Sequence, residues 1–327
     1  MSKLLRQSLG ALSMIAVCAL APVTAQAQAP YPNQAVKFVV PFAAGGLPDT
    51  VARIVGQRLQ ERLGQSVVIE NRPGAGGGVA AANIVGTPAD GYTFLVTDGS
   101  MFTINPKLVK QLPYDAEKDF VPVVQLARGP LFLAVHPKLP VSTFKEFIDY
   151  ARANPGKINY GSSGLGTTHH LTMEAVKAAL KLDMTHVPFK GTGQSVPALL
   201  GGHVEVAFSA YPSLAGAVQA KQVKLIATNG AKRSADAPDI PAISEFIPDF
   251  DFAPVIGVFA KTGTPKAVID KIAAEAIAVT KLPEVVAQLA KVGVEPAGAG
   301  PGDYAKGLKA EADRVAATVK AAGITPQ

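Results

Sequence analysis

The polar residues able to do chemistry in this chain gather in short glycine-rich segments: Pro41–Asp49, Asn71–Gly78, Thr97–Ser100, Gly161–Thr168 and Lys190–Gln194. Each can be set against a known chemistry. A serine hydrolase places its nucleophile in G-x-S-x-G, and Gly161-Ser162-Ser163-Gly164-Leu165 lacks the closing glycine. Ser162 and Ser163 therefore read as hydrogen-bonding groups. Dinucleotide binding wants G-x-G-x-x-G, but Val79 stands where the third glycine would follow Gly74-Ala75-Gly76, and His169 where it would follow Gly164-Leu165-Gly166. A P-loop needs Gly-Lys-Ser/Thr, whereas Lys190 precedes Gly191 and Thr192. His169 and His170 are adjacent, so on a helix they diverge by about 100° and cannot chelate one metal from one face; one of them is expected to be a packed histidine. Asp49, at the start of a helical pattern, reads as an N-cap with no partner acid nearby. No nucleophile–base set emerges. The expectation is a protein that is not an enzyme and holds neither cofactor nor metal.

These segments lie where β-rich runs end and helical patterns begin. The runs are Val36–Val40, Val67–Glu70, Thr93–Val96, Leu131–Val135, Ile158–Tyr160, Thr185–Val187, Val204–Phe208, Val223–Ala227 and Val255–Phe259. Between them, Val51, Ile54, Val55 and Leu59 form one apolar stripe, as do Phe144, Phe147, Ile148 and Ala151 behind a Thr143…Glu146 capping box. Alternating strands and helices predict βαβ units in mostly parallel sheets flanked by helices, an α/β protein. The last third ends in helices, roughly 265–282, 283–292 and 303–321. About 300 residues with 48% hydrophobic content exceed what one core fills, which predicts two lobes. One is expected from residues 28–127 plus 228–327, the other from 128–227, joined by a two-stranded hinge. In open α/β sheets ligands sit at the strand ends, and helix N-termini there hold an anion without a basic side chain.

The first residues predict export. Lys3 and Arg6 precede an apolar stretch, Ser8–Ala21, and Ala25-Gln26-Ala27 supplies a small-x-small cleavage site, so residues 1–27 read as a signal peptide. The only cysteine, Cys18, lies inside that segment, and Val17 stands where a lipoprotein signal has a small residue. A mature chain starting near Gln28 has no thiol, which excludes disulfides, thiolate zinc sites and cysteine nucleophiles. The formal net charge of +6 falls to +4 once Lys3 and Arg6 are removed. With 6% aromatics, no Trp and dispersed basic residues, no nucleic-acid platform is expected.

Read together, the loops resemble the Bug receptors, the TctC-like substrate-binding components of tripartite tricarboxylate transporters. The similarity runs through Tyr31-Pro32, Val39–Gly46 with Asp49, Glu70–Gly77, Asp90–Thr93, Leu112–Asp115, Lys118–Phe120 and Asn154–Lys157. It continues through Gly164, Gly166-Thr167, His170-Leu171, His186–Pro188, Lys190-Gly191, Leu199–Gly202 and Ala231–Ser234. The resemblance implies a Venus-flytrap fold in the periplasm, a small organic carboxylate as ligand, delivery to membrane components of the transporter, and a monomer. It also implies that the ligand sits between two loops, with Phe42, Gly46, Leu47 and Asp49 on one and Ser162, Gly166, Thr167 and Thr168 on the other. Leu47-Pro48 departs from the Gly-Thr of the pattern, and Ser209 replaces an acidic residue, which leans towards an aromatic or hydrophobic carboxylate. The Glu70–Gly77 motif reads as a structural turn, with Arg72 tying loops together. The competing expectation is a periplasmic sensor that signals to a membrane histidine kinase.

Overall fold

β-Branched and aromatic runs form strands, and stripes of apolar residues at helical spacing cover them. The computed structural model describes residues 31–234, 237–321 and 323–326. The expected signal peptide, residues 1–27, lies outside the described residues. Gln34–Gln327 form one compact unit.

In chain order, the first strands and helices are β1 (Val36–Val40), α1 (Leu47–Leu63), β2 (Val67–Asn71), α2 (Gly78–Val85), β3 (Thr93–Asp98), α3 (Ser100–Thr103), α4 (Asn105–Leu108) and β4 (Phe120–Arg128). Next come β5 (Leu131–Val135), α5 (Phe144–Ala153), β6 (Asn159–Ser162), α6 (Thr168–Leu180), β7 (Thr185–Pro188), α7 (Thr192–Leu200), β8 (Val206–Ala210), α8 (Tyr211–Gln219) and β9 (Lys224–Thr228). The chain then continues with β10 (Val255–Lys261), α9 (Lys266–Thr280), α10 (Pro283–Ala290), β11 (Glu295–Pro296) and α11 (Pro301–Ala321).

Two sheets result, one ordered β11-β4-β10-β3-β1-β2 and the other β7-β6-β8-β5-β9. Both are mixed, which corrects the expectation of mostly parallel sheets. β1 runs parallel to β2 and β3, and β6 to β7 and β8, but β10 is antiparallel to β3 and β4, and β5 to β8 and β9. The antiparallel pairs belong to the strands on either side of the sheet-to-sheet crossings, where the chain enters or returns without a βαβ crossover. β4 was absent from the expected strands because Pro122 interrupts its run. Pro122 sits opposite Phe259 at a register shift, where a strand tolerates a missing N–H.

Local signals set the boundaries that matter for the site. α1 starts after Gly46 with Pro48 in its first turn and stops at Gly64, whose φ of 65° suits a glycine C-cap. α5 starts at Thr143, whose hydroxyl accepts the Glu146 N–H, while the Glu146 carboxylate accepts the Ser142 N–H. The three C-terminal helices belong with the first sheet: α9 and α11 pack on β4, and Phe259 and Tyr304 share its core.

The chain passes between sheets after Arg128 and again between Thr228 and Val255, and the two passages are bonded together. Buried Asn229 accepts the Leu131 N–H at 2.7 Å and donates to the Phe252 carbonyl at 2.8 Å. Arg128 Nη2 lies 2.6 Å from both carboxylate oxygens of Asp251. This double strap brings the strand-end loops of one sheet against those of the other.

Candidate functional site

Those loops enclose a small cavity lined by Phe42, Gly46, Leu47 and Pro48 from the start of α1, by Asp98 at the end of β3, and by Ser163, His169 and Thr192 from the second sheet; Leu131, Pro254 and Ile256 complete the wall. Its volume is about 20 Å³, room for roughly one water. The lobes are closed on it. Thr168 Oγ1 donates across the gap to Asp98 Oδ2 at 3.0 Å, and Ser213 Oγ to the Gly45 carbonyl at 2.8 Å. Two glycines make this approach feasible: a Cβ on Gly166 would lie 2.0 Å from Asn105 Oδ1, and one on Gly76 2.5 Å from the Leu165 carbonyl, both at positive φ.

Three helix starts meet at the cavity: α1 at Gly46–Pro48, α6 at His169 and α7 at Thr192. The first amides of a helix have no intrahelical acceptor and carry the positive end of its dipole. No Lys or Arg lines the cavity. Among the described residues, the Ser163 hydroxyl and both ring nitrogens of His169 are buried without a hydrogen-bond partner. Buried polar groups are normally satisfied, so unpaired groups on one cavity wall mark the place of a missing partner. Burial pushes the His169 imidazole down to about 4, so it is neutral at pH 7. Burial also raises the Asp98 carboxyl, against the hydrogen bonds it accepts from Ser100 and Thr168.

Of the residues expected at the site, Phe42, Gly46 and Leu47 form cavity wall. Asp49 does not line it and is not an N-cap: Gly46 holds that position, and Asp49 stands in the first turn of the helix. Its carboxylate accepts the Gly45 N–H at 2.9 Å, Arg53 Nε and Asn71 Nδ2. Burial disfavours its ionisation, but Arg53, the Gly45 amide and Asn71 together hold the carboxyl below the usual range. Asp49 thus fixes the loop that supplies Gly46. The Glu70–Gly77 motif braces the same loop, because Asn71 also donates to the Phe42 carbonyl at 3.1 Å, while Arg72 pairs with Glu70.

Ser162, Gly166 and Thr167 shape the opposite loop from behind. Ser162 Oγ accepts the Gly164 N–H at 3.1 Å and lies 2.6 Å from His186 Nε2. Gly166 donates its N–H to His170 Nδ1 at 3.4 Å. Thr167 caps α6 by accepting the His170 N–H. Thr168 makes the inter-lobe bond to Asp98. His170 is the packed histidine of the pair, stacked on His186 at 4.2 Å between ring centroids. The cavity residues not expected at the ligand site are Pro48, Asp98, Leu131, Ser163, His169, Thr192, Pro254 and Ile256. Asp98, Ser163, His169 and Thr192 lay in or beside the glycine-rich segments already marked as strand ends, which was the available signal.

Two mixed sheets with flanking helices, closing strand-end loops over a small cavity, define a two-lobed periplasmic-binding-protein fold. Solved structures agree. The chain is similar to "R. palustris Rpa4515 with adipate", at 34% identity and a TM-score of 0.87 over 91% of this chain and 100% of that one. It is similar to periplasmic binding protein BugD at 30% identity and a TM-score of 0.86, over 91% of this chain and 100% of that one. It is also similar to MatC (Rpa3494) from Rhodopseudomonas palustris with bound malate, at 30% identity and a TM-score of 0.83, over 88% and 100% of the respective chains. The chain belongs to the TctC family, the tripartite tricarboxylate transporter family receptors, whose pattern it matches over residues 51–324. This is a family of solute-binding receptors and not of enzymes.

Proposed function

We propose that this protein is a periplasmic receptor that captures a small organic carboxylate, as a monomer, and delivers it to the membrane components of a tripartite tricarboxylate transporter. The observation that carries this reading is the convergence of three helix N-termini on a closed cavity without a cation, among unpartnered polar groups. Such a site favours one negative charge through amides and dipoles, whose positive ends attract anions. The adipate and malate held by two relatives are carboxylates. The cavity of about 20 Å³ is too small for either, so capture requires the lobes to part and reclose around the ligand, a hinge motion at the Arg128–Leu131 and Thr228–Val255 passages.

The test is a thermal-shift and calorimetric screen of residues 28–327, refolded to strip carried ligand, against mono-, di- and tricarboxylates. A ligand at a hundredfold excess over its Kd should stabilise the protein by about 2.7 kcal/mol. If no carboxylate shifts the melting point while neutral or cationic metabolites do, the anion-receptor reading fails. Loss of carboxylate uptake on deleting the gene, restored by the intact chain, tests the transport assignment.

A further inference from the structure

Resting on that reading, we propose that His169, with Ser163, determines ligand specificity by recognising an uncharged hydroxyl on the ligand, so that the cargo is a hydroxylated monocarboxylate. Three observations lead there. The His169 ring nitrogens and Ser163 Oγ are the only side-chain polar atoms lining the cavity that are buried without a partner among the described residues. The other polar side chains there are engaged: Asp98 accepts from Ser100 and Thr168, and Thr192 Oγ1 lies 3.5 Å from Ser213 Oγ. A neutral imidazole offers one donor and one acceptor, and a serine hydroxyl offers both. A ligand hydroxyl, which likewise donates and accepts, matches both groups. A carboxylate offers acceptors only.

Charge points the same way. With no Lys or Arg on the wall and Asp98 already present, the helix N-termini can neutralise one carboxylate, but a second would be buried without a counter-charge. A ligand ammonium offers donors only, so it cannot pair with a ring nitrogen that carries a proton. Phe42, Leu47, Leu131 and Ile256 then enclose the carbon frame between the two polar ends.

The test is isothermal titration of the mature chain with butyrate and its monohydroxylated isomers, benzoate and its monohydroxylated isomers, succinate, adipate and alanine. At least one hydroxy acid should bind on the order of tenfold tighter than its unsubstituted parent, the ratio one neutral hydrogen bond supports. His169→Phe should bring that ratio close to one. His169→Gln, which keeps a donor and an acceptor, should retain part of the preference. Tightest binding of an unsubstituted acid, a dicarboxylate or alanine overturns the proposal, as does a hydroxyl preference that survives His169→Phe. Those outcomes leave the receptor reading intact; binding of no carboxylate at all would remove both.

Discussion

Ser162 and Ser163 are neighbours in the chain, as are His169 and His170, yet each pair is divided between two environments. Ser162 and His170 point into the core of the second sheet, where His170, His186 and Tyr160 stack in a row at 4.2 and 4.8 Å. Tyr160 donates to Glu174, which pairs with Lys177, and Ser162 bonds His186. Ser163 and His169 face the cavity and have no partner. The core half holds the loop's shape through the Gly164 and Gly166 amides. The cavity half is left unsatisfied, and that difference separates support from recognition. Alternation at the end of β6 and the 100° step of α6 direct adjacent residues of one type to opposite sides.

His170→Ala should have the largest effect, because it removes a buried ring, its stacking and the acceptor for the Gly166 amide. A loss of about 3 kcal/mol is expected in urea unfolding. A loss under about 1 kcal/mol would mean that the histidine row is not a packed unit.

Acid should attack the same row. Burial holds His169 and His170 down to about 4 and His186 down to about 3. Their native states bind fewer protons than the unfolded chain, so their contribution is full above pH 6.5 and is lost as pH falls towards 4. Each contributes a slope of up to about 1.4 kcal/mol per pH unit. Glu311 opposes this. Burial, aided by Asp98, raises its carboxyl to about 7, so its contribution grows as pH falls from 7 towards 4.5. The net loss on acidification should therefore be shallower than three histidines alone would give. Glu311→Gln should steepen it while stabilising the protein by about 1–3 kcal/mol at pH 8. Stability unchanged between pH 7 and pH 5 in both proteins would show that the imidazoles are not held neutral.

Ser162→Ala, which strands a His186 ring nitrogen and the Gly164 amide, is expected to cost about 1–2 kcal/mol. Ser163→Ala, one residue away, should alter stability by no more than about 0.5 kcal/mol, its effect appearing in ligand affinity instead. Equal losses from the two serines would erase the distinction between core and cavity.

Much of this was legible in the sequence. The β-branched run Val36–Val40 and the stripe through Val51, Val55 and Leu59 identified a strand and a helix because periodicity depends only on near neighbours. The glycine-rich segments marked the strand ends, and Phe42, Gly46 and Leu47 fell on the wall. Composition cannot register a helix start to one residue, so Asp49 reads as an N-cap where Gly46 supplies the extended conformation and Pro48 takes the first turn. β4 was hidden because Pro122 breaks the pattern of a strand, and only its bulged pairing with β10 accommodates it.

By itself the sequence determined the alternation of elements and their polar ends, since both follow from residue types at short spacing. Tertiary structure alone decided which member of each Ser-Ser and His-His pair meets the cavity, and it brought Asp98 against Thr168 and three helix starts to one point. Those relations join residues up to some 150 positions apart, and they depend on how two sheets close, a geometry fixed by long-range packing that no local pattern encodes.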